Sequence, residues 1–129
     1  MCKSDKPNFT DHYHVIAVKD LGEAVKYYRD ILGFDVDDRG VDGWQWFVNG
    51  PVTIMAGLCP EEVPAGGTNN HSYFLRVMLE DIDSYYKAIK GEGGEFAEEI
   101  ENKPWGFREF CVRTNEGHRI VFAKYIGVV

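Results

Sequence analysis

Alternating apolar and polar positions open the patterned part of the chain: "YHVIAV" reads as a strand whose successive side chains point to opposite faces. The period then changes. In "KDLGEAVKYYRDILGF", Leu21, Ala24, Val25, Tyr28 and Leu32 fall at helical spacing on one face. Asp20 is placed to cap this helix, Glu23 to complete a capping box, and Gly33 to supply a left-handed exit. "DVDDRGVDGWQWFVNGPVTIMAGL" predicts three short strands, with turns marked by Gly40 and Gly43 and then by Asn49 to Pro51. "CPEEVPAGGTNN" has no period and predicts a linker over 59–70. Beyond it, "HSYFLRVML" predicts a strand and "EDIDSYYKAIKGEGG" a second helix. Asp81 is its expected cap, and Ile82, Tyr85, Tyr86 and Ile89 form its apolar stripe. "EFAEEI", "GFREFCVR" and "HRIVFAKYI" predict three closing strands.

The order strand, helix, three strands therefore occurs twice. Asp20 and Asp81, Leu21 and Ile82, Val25 and Tyr86, and Gly33 and Gly94 all keep one offset of 61 positions. A repeated unit of this size buries its apolar face against its copy. The expected class is α+β: two βαβββ units at about 13–58 and 71–126 in a single domain over 13–129. Each unit curls a four-stranded sheet with its helix outside, and a loose polar arm over 1–12 precedes them.

Composition narrows the function classes. At 129 residues, 44% hydrophobic and 27% charged, the chain is of ordinary globular make-up. No run approaches the roughly 20 apolar residues that span a bilayer, so no membrane association is expected. Cys2, Cys59 and Cys111 are scattered without metal-knuckle spacing, and a reducing cytoplasm is the expected location. A formal charge of −7 argues against nucleic-acid partners, which need a basic face, and would favour a cationic ligand.

The stretches "HVIAVKDLGEAVKYYRDILGF", "DIDSYYKAIKGEGGEF" and "WGFREFCVRTNEGHRIVF" together resemble the vicinal-oxygen-chelate superfamily, which includes glyoxalase I, extradiol dioxygenases and bleomycin-resistance proteins. The resemblance implies the glyoxalase/bleomycin-resistance fold, with the curled sheets forming a cup. In metal-using members, histidines and glutamates from the first and last strand of each half point into that cup. Carried onto this chain, those positions fall on Tyr13, near Ile54, on Ser72 or Phe74, and on Val121. A protonated tyrosine is a poor ligand for a divalent metal and the others supply still less, so no metal and no cofactor are expected. A metal-dependent lyase, isomerase or dioxygenase of the same superfamily would need a one-residue register shift that brings His14 and His71 inward.

Strand alternation also gives the cup lining. Tyr13, Trp46, Phe74, Arg76, Trp105, Glu109, Cys111, Arg119 and Val121 are the expected ligand-binding residues, with Trp46 matched to Glu109 by repeat and Trp105 on a rim loop. Such a set either lines an apolar pocket with a few polar anchors or fills the sheet interior; in either case Glu109 has Arg76 or Arg119 to pair with. Cys111 reads as a buried thiol more than a nucleophile, and His118 as a solvent-facing turn residue. The resemblance implies a small-molecule-binding protein without catalysis, in the manner of the bleomycin-resistance proteins, holding an aromatic or cationic ligand. It also implies a homodimer with grooves between chains.

Overall fold

A computed structural model describes residues 7–62 and 73–127. The first unit consists of β1 (His14–Val18), α1 (Leu21–Lys26), β2 (Asp35–Asp37), β3 (Trp44–Asn49) and β4 (Val52–Leu58). The helix α1 runs on into a π-helical turn over Tyr27–Ile31. The second unit consists of β5 (Tyr73–Met78), α2 (Ile82–Gly91), β6 (Glu95–Asn102), β7 (Phe107–Arg113) and β8 (Arg119–Tyr125). Each unit makes one mixed sheet, in the orders β1-β4-β3-β2 and β5-β8-β7-β6. The first strand of each unit pairs in parallel with the last, and the helix provides the crossover that a parallel pair needs. Residues 7–12 are exposed and lie outside any helix or strand; of the linker, 59–62 are described.

One core serves both units. Ile16, Val18, Phe47 and Ile54 from the first sheet join Leu75, Phe110, Ile120 and Phe122 from the second, with Ala24, Tyr28, Ile82 and Ile89 of the helices among them. Each sheet therefore has a core face and an outer face. On β7 and β8 the outer face is the expected one, with Cys111, Val121 and Ala123 in a small separate cluster.

Two of the places where the units meet are equivalent by repeat. At one, the loop between β7 and β8 reaches the start of α1. The Glu116 carboxylate accepts from the Lys19 backbone N–H at 2.7 Å and 3.0 Å and from the Asp20 N–H at 3.1 Å. Asp20 caps α1 as expected, accepting from Glu23 N–H at 3.0 Å. The reciprocal half of the capping box comes from Glu116, and Glu23 pairs with Lys26 instead. At the other junction, Asp81 makes no side-chain capping bond to α2, contrary to expectation. There a cavity of about 450 Å³ lies between Phe34, Pro51 and Val52 of the first unit and Val77, Leu79 and Phe122 of the second.

Hairpin length explains the difference. Gly50 and Pro51 alone join β3 to β4, whereas residues 114–118 join β7 to β8. The turn glycines Gly50 and Gly117 each precede their strand by two positions, but Val52 then turns toward the core while Arg119 turns away from it. Counting from Gly50 as from Gly117 thus selects the wrong face of β4. Ile54 is fully buried in the core, and the outer-face residue at that level is Met55.

Candidate functional site

On the second sheet the outer face is set by register. Cys111, Val121 and Arg76 lie side by side across β7, β8 and β5, and Glu109 lies opposite Ala123. The pairing of β5 with β8 shifts between Tyr73 and Leu75. An extra residue in one strand reverses the alternation on one side of it. Tyr73 consequently stands opposite Arg119 on the outer face, and Phe74 packs against the shared core, edge-on to His118 at 5.9 Å. The expectation that Phe74 lines the cup is corrected by this bulge, and Tyr73 takes its place. Ser72 and His71 lie outside the described residues.

A pocket of about 160 Å³ opens on this face. Glu109, Cys111 and Val121 form its floor, and Tyr73, Trp105, Lys103 and Glu98 its walls. Only 6% of Glu109 is exposed; its carboxylate accepts from Arg76 Nη2 at 2.7 Å and from Trp105 Nε1 at 3.4 Å. The Arg76 guanidinium also lies 4.9 Å over the Phe107 ring, so cation and carboxylate are both held in place. Glu98 pairs with Lys103 at 3.3 Å. Both carboxylates of the pocket therefore face a cation, although Lys103 is shared with Glu101 at 2.5 Å. Trp105 is 57% exposed and stands on the rim, as its loop position predicts.

Burial, with the nearby Glu98 adding to it, pushes the Cys111 thiol up to about 11. It is protonated at neutral pH, the weakly nucleophilic form of a thiol. Arg119 faces outward but is only 2% exposed, with Nη1 at 3.5 Å from the Gly117 carbonyl. A ligand on this face cannot reach it, so Arg119 leaves the expected binding set. His118 is half-buried instead of solvent-facing, and burial lowers its pKa from 6.5, against the pull of Glu116 and a bond to the Ala17 backbone.

Tyr13 and Trp46 belong to the first sheet's outer face, apart from this pocket. Trp46 lies opposite Met55, while its neighbour Phe47 enters the core. The register overturns the match of Trp46 to Glu109. Trp46 corresponds to Cys111, since each faces the same level of the unit's last strand, and Trp44 corresponds to Glu109. Arg39, which sequence patterning gave no reason to select, lies 4.6 Å over the Trp46 ring and 5.6 Å from that of Tyr13.

The four positions that would hold a metal read Tyr13, just before β1, Met55, Tyr73 and Val121 on this geometry. Two phenols, a thioether and an alkyl group do not fit a divalent ion that needs imidazole or carboxylate. Among the described residues, no three of His, Cys, Asp and Glu come together in a metal-holding group. His14 shares its side of β1 with the buried Ile16 and Val18, away from the outer face. Tyr73, Lys103 and Glu98 were missed. The bulge hides the first, and a lysine folded back from a turn onto two strand glutamates leaves no periodic signal.

A family model described as the Glyoxalase/Bleomycin resistance protein/Dioxygenase superfamily matches residues 10–122. The uncharacterized protein YwbC of Bacillus subtilis (strain 168) is 30% identical over 118 residues, 83% of this chain and 90% of that protein. Among solved structures, a glyoxalase/bleomycin resistance protein/dioxygenase from Alicyclobacillus acidocaldarius superposes with a TM-score of 0.77 at 17% identity, over 90% of this chain and 91% of its own. TioX from Micromonospora sp. ML1 gives 0.71 at 22% identity, over 88% and 98%. These structural likenesses establish the fold. No described helix is long and apolar enough to cross a membrane.

Proposed function

The chain belongs to the Glyoxalase/Bleomycin resistance protein/Dioxygenase superfamily, and from that premise we propose that it is a small-molecule-binding protein that works without a catalytic metal. The observation that carries this reading is the exchange at the outer-face positions. Aromatic and alkyl groups stand where the superfamily's metal-using members need ligands, beside a pocket walled by Tyr73 and Trp105. Because Arg76 and Lys103 already pair with the pocket's two carboxylates, stacking on the aromatic walls supplies the larger share of affinity. A flat aromatic ligand suits it better than a bare cation. A pocket of about 160 Å³ is small for a drug-sized ligand, which supports a homodimer in which a second chain completes the walls. A cytoplasmic location accords with the buried, reduced Cys111.

Calorimetry against a panel of flat aromatic compounds, with a thermal-shift screen of nickel, zinc, manganese and iron, tests the reading. The expected result is saturable aromatic binding that Trp105→Ala weakens about tenfold, the upper range of a lost aromatic contact. Stabilisation by a divalent metal at stoichiometric loading, with aromatic binding absent, overturns it.

A further inference from the structure

The strands that end the two sheets, β1, β2, β5 and β6, are finished differently. β2 is three residues long, and two of them are aspartates. β6 carries Glu95, Glu98, Glu99 and Glu101, and its pairing with β7 shifts register twice. Shortness, charge and irregularity keep an open strand edge from pairing with another chain. Beyond its bulge β5 has none of them. From Leu75 to Met78 it pairs regularly with β8, and its one charged side chain, Arg76, turns to Glu109. The side away from β8 pairs with no described strand. β1 is bare as well, but it is β5 that the junction cavity adjoins.

The ladder decides which backbone groups face the open side. The Leu79 N–H donates to the Ala123 carbonyl of β8 at 3.0 Å. Along a strand, the N–H and C=O of one residue point to one side and those of the next to the other. The backbone groups of Val77 therefore also face β8, while those of Arg76 and Met78 face the open side. At about 3.3 Å per residue the two lie about 7 Å apart, the repeat of an extended backbone. The cavity of about 450 Å³ follows this edge, since Arg76, Val77, Met78 and Leu79 all line it although their side chains alternate between the faces of the sheet. Phe34 and Phe122 make it apolar, and among the described residues no carboxylate lines it. Its volume falls within the roughly 300–1,000 Å³ of small ligand sites.

We propose that the open edge of β5 and the junction cavity together form a docking site for an extended, uncharged peptide. The peptide backbone pairs with Arg76 and Met78, and a bulky apolar side chain enters the space between the units. A hydrophobic small molecule would fill the cavity and leave the edge groups unused, whereas a strand with donors and acceptors at the same repeat answers both. The site is separate from the second unit's outer pocket, which uses the side chain of Arg76 and not its backbone. The chain's own arm is the competing occupant, since Phe9 is 94% exposed and borders a cleft with Pro51.

The test is an NMR titration with amide hydrogen exchange on the intact chain, using acetyl-Thr-Phe-Thr-amide as the probe. Its companions replace the phenylalanine by alanine, N-methylate the central residue, or N-methylate both threonines. At saturation the Arg76 and Met78 amides are expected to exchange about fivefold more slowly, the effect of one added hydrogen bond each, with the Val77 amide unchanged. The alanine form is expected to bind about tenfold more weakly, through the lost burial of the ring. One N-methylated form should lose binding and the other keep it, because alternate amides of a strand face its neighbour. Equal affinity of the two methylated forms overturns the proposal, as does binding that leaves exchange at Arg76 and Met78 unaltered. If Phe9→Ala alone speeds exchange at those amides in the free chain, the arm is the occupant and the proposal falls. Trp105→Ala is expected to leave peptide binding intact; its loss there would put the peptide in the outer pocket and sink this inference. Absence of aromatic binding in the outer pocket, with the exchange changes retained, overturns the proposed function and leaves the β5 site standing.

Discussion

Glu116 closes one junction between the units with a carboxylate on two backbone amides, whereas at the other junction a cavity of about 450 Å³ opens between Pro51 and Leu79, and Asp81 makes no side-chain cap. The two units share strand order, pairing and core, so the contrast comes from one local variable, the hairpin. A five-residue connection carries Glu116 to the start of α1 and His118 to the Ala17 backbone of β1; the Gly50-Pro51 turn is too short to make the equivalent reach. Repeating a fold does not repeat its contacts.

The sharpest way to break the comparison is Glu116→Ala. Charge-assisted bonds to the Lys19 and Asp20 amides are removed together, and a loss of about 3 kcal/mol in urea unfolding is expected. A loss below about 1 kcal/mol would mean that water substitutes for the carboxylate and that the sealed junction is no tighter than the open one.

The helix exits come next. Gly33 and Gly94, equivalent by repeat, do different work. At Gly33 φ is +78° with no atom within 4 Å of an added Cβ, so its need is conformational. At Gly94 a Cβ would stand 2.4 Å from Ile89 Cγ2 and 3.3 Å from Ile31 Cγ2 of the first unit, so its need is space. Gly93, at φ +86°, takes the left-handed exit of the second unit. Gly94→Ala is expected to cost about 2 kcal/mol by overpacking, and Gly33→Ala about 1 kcal/mol by left-handed strain. Equal costs in chemical denaturation would remove the distinction.

Much of this was legible in the letters. Caps, turn glycines and period changes located every described helix and strand, because those signals are local. The outer-face residues Glu109, Cys111 and Val121 also followed from alternation, since β7 and β8 run without interruption. Phe74 and Ile54 were misplaced for one reason: parity is counted from a landmark, and a bulge or a shorter turn between landmark and residue reverses it. Arg39 and Glu116 act across long connections and through side chains, where no periodicity operates.

Smaller effects refine the contrast. Asp20→Ala is expected to cost about 1 kcal/mol and Asp81→Ala less than about 0.5 kcal/mol, since only Asp20 makes a capping bond. Comparable losses in the two variants would show that both caps form in solution. The smallest effect is one of pH. Burial lowers the folded-state pKa of His118 below its ordinary 6.5, so as pH falls the unfolded chain takes up the proton first. Its share of stability is complete above that value and is lost as pH drops through the folded pKa. His118→Gln should flatten this part of the decline as pH falls below 6.5, read from urea midpoints. An unaltered slope would place the titration elsewhere, His14 being the other lowered histidine.

The carboxylate on α1 also has a consequence in time. Its acceptor lies 96 and 97 positions downstream of the two amides it receives. A chain leaving the ribosome displays the first helix long before Glu116 has been made, and contacts of such span come late in folding. The opening unit is therefore finished by the closing one, and a fragment ending at the linker would carry a helix whose entrance stays open to solvent.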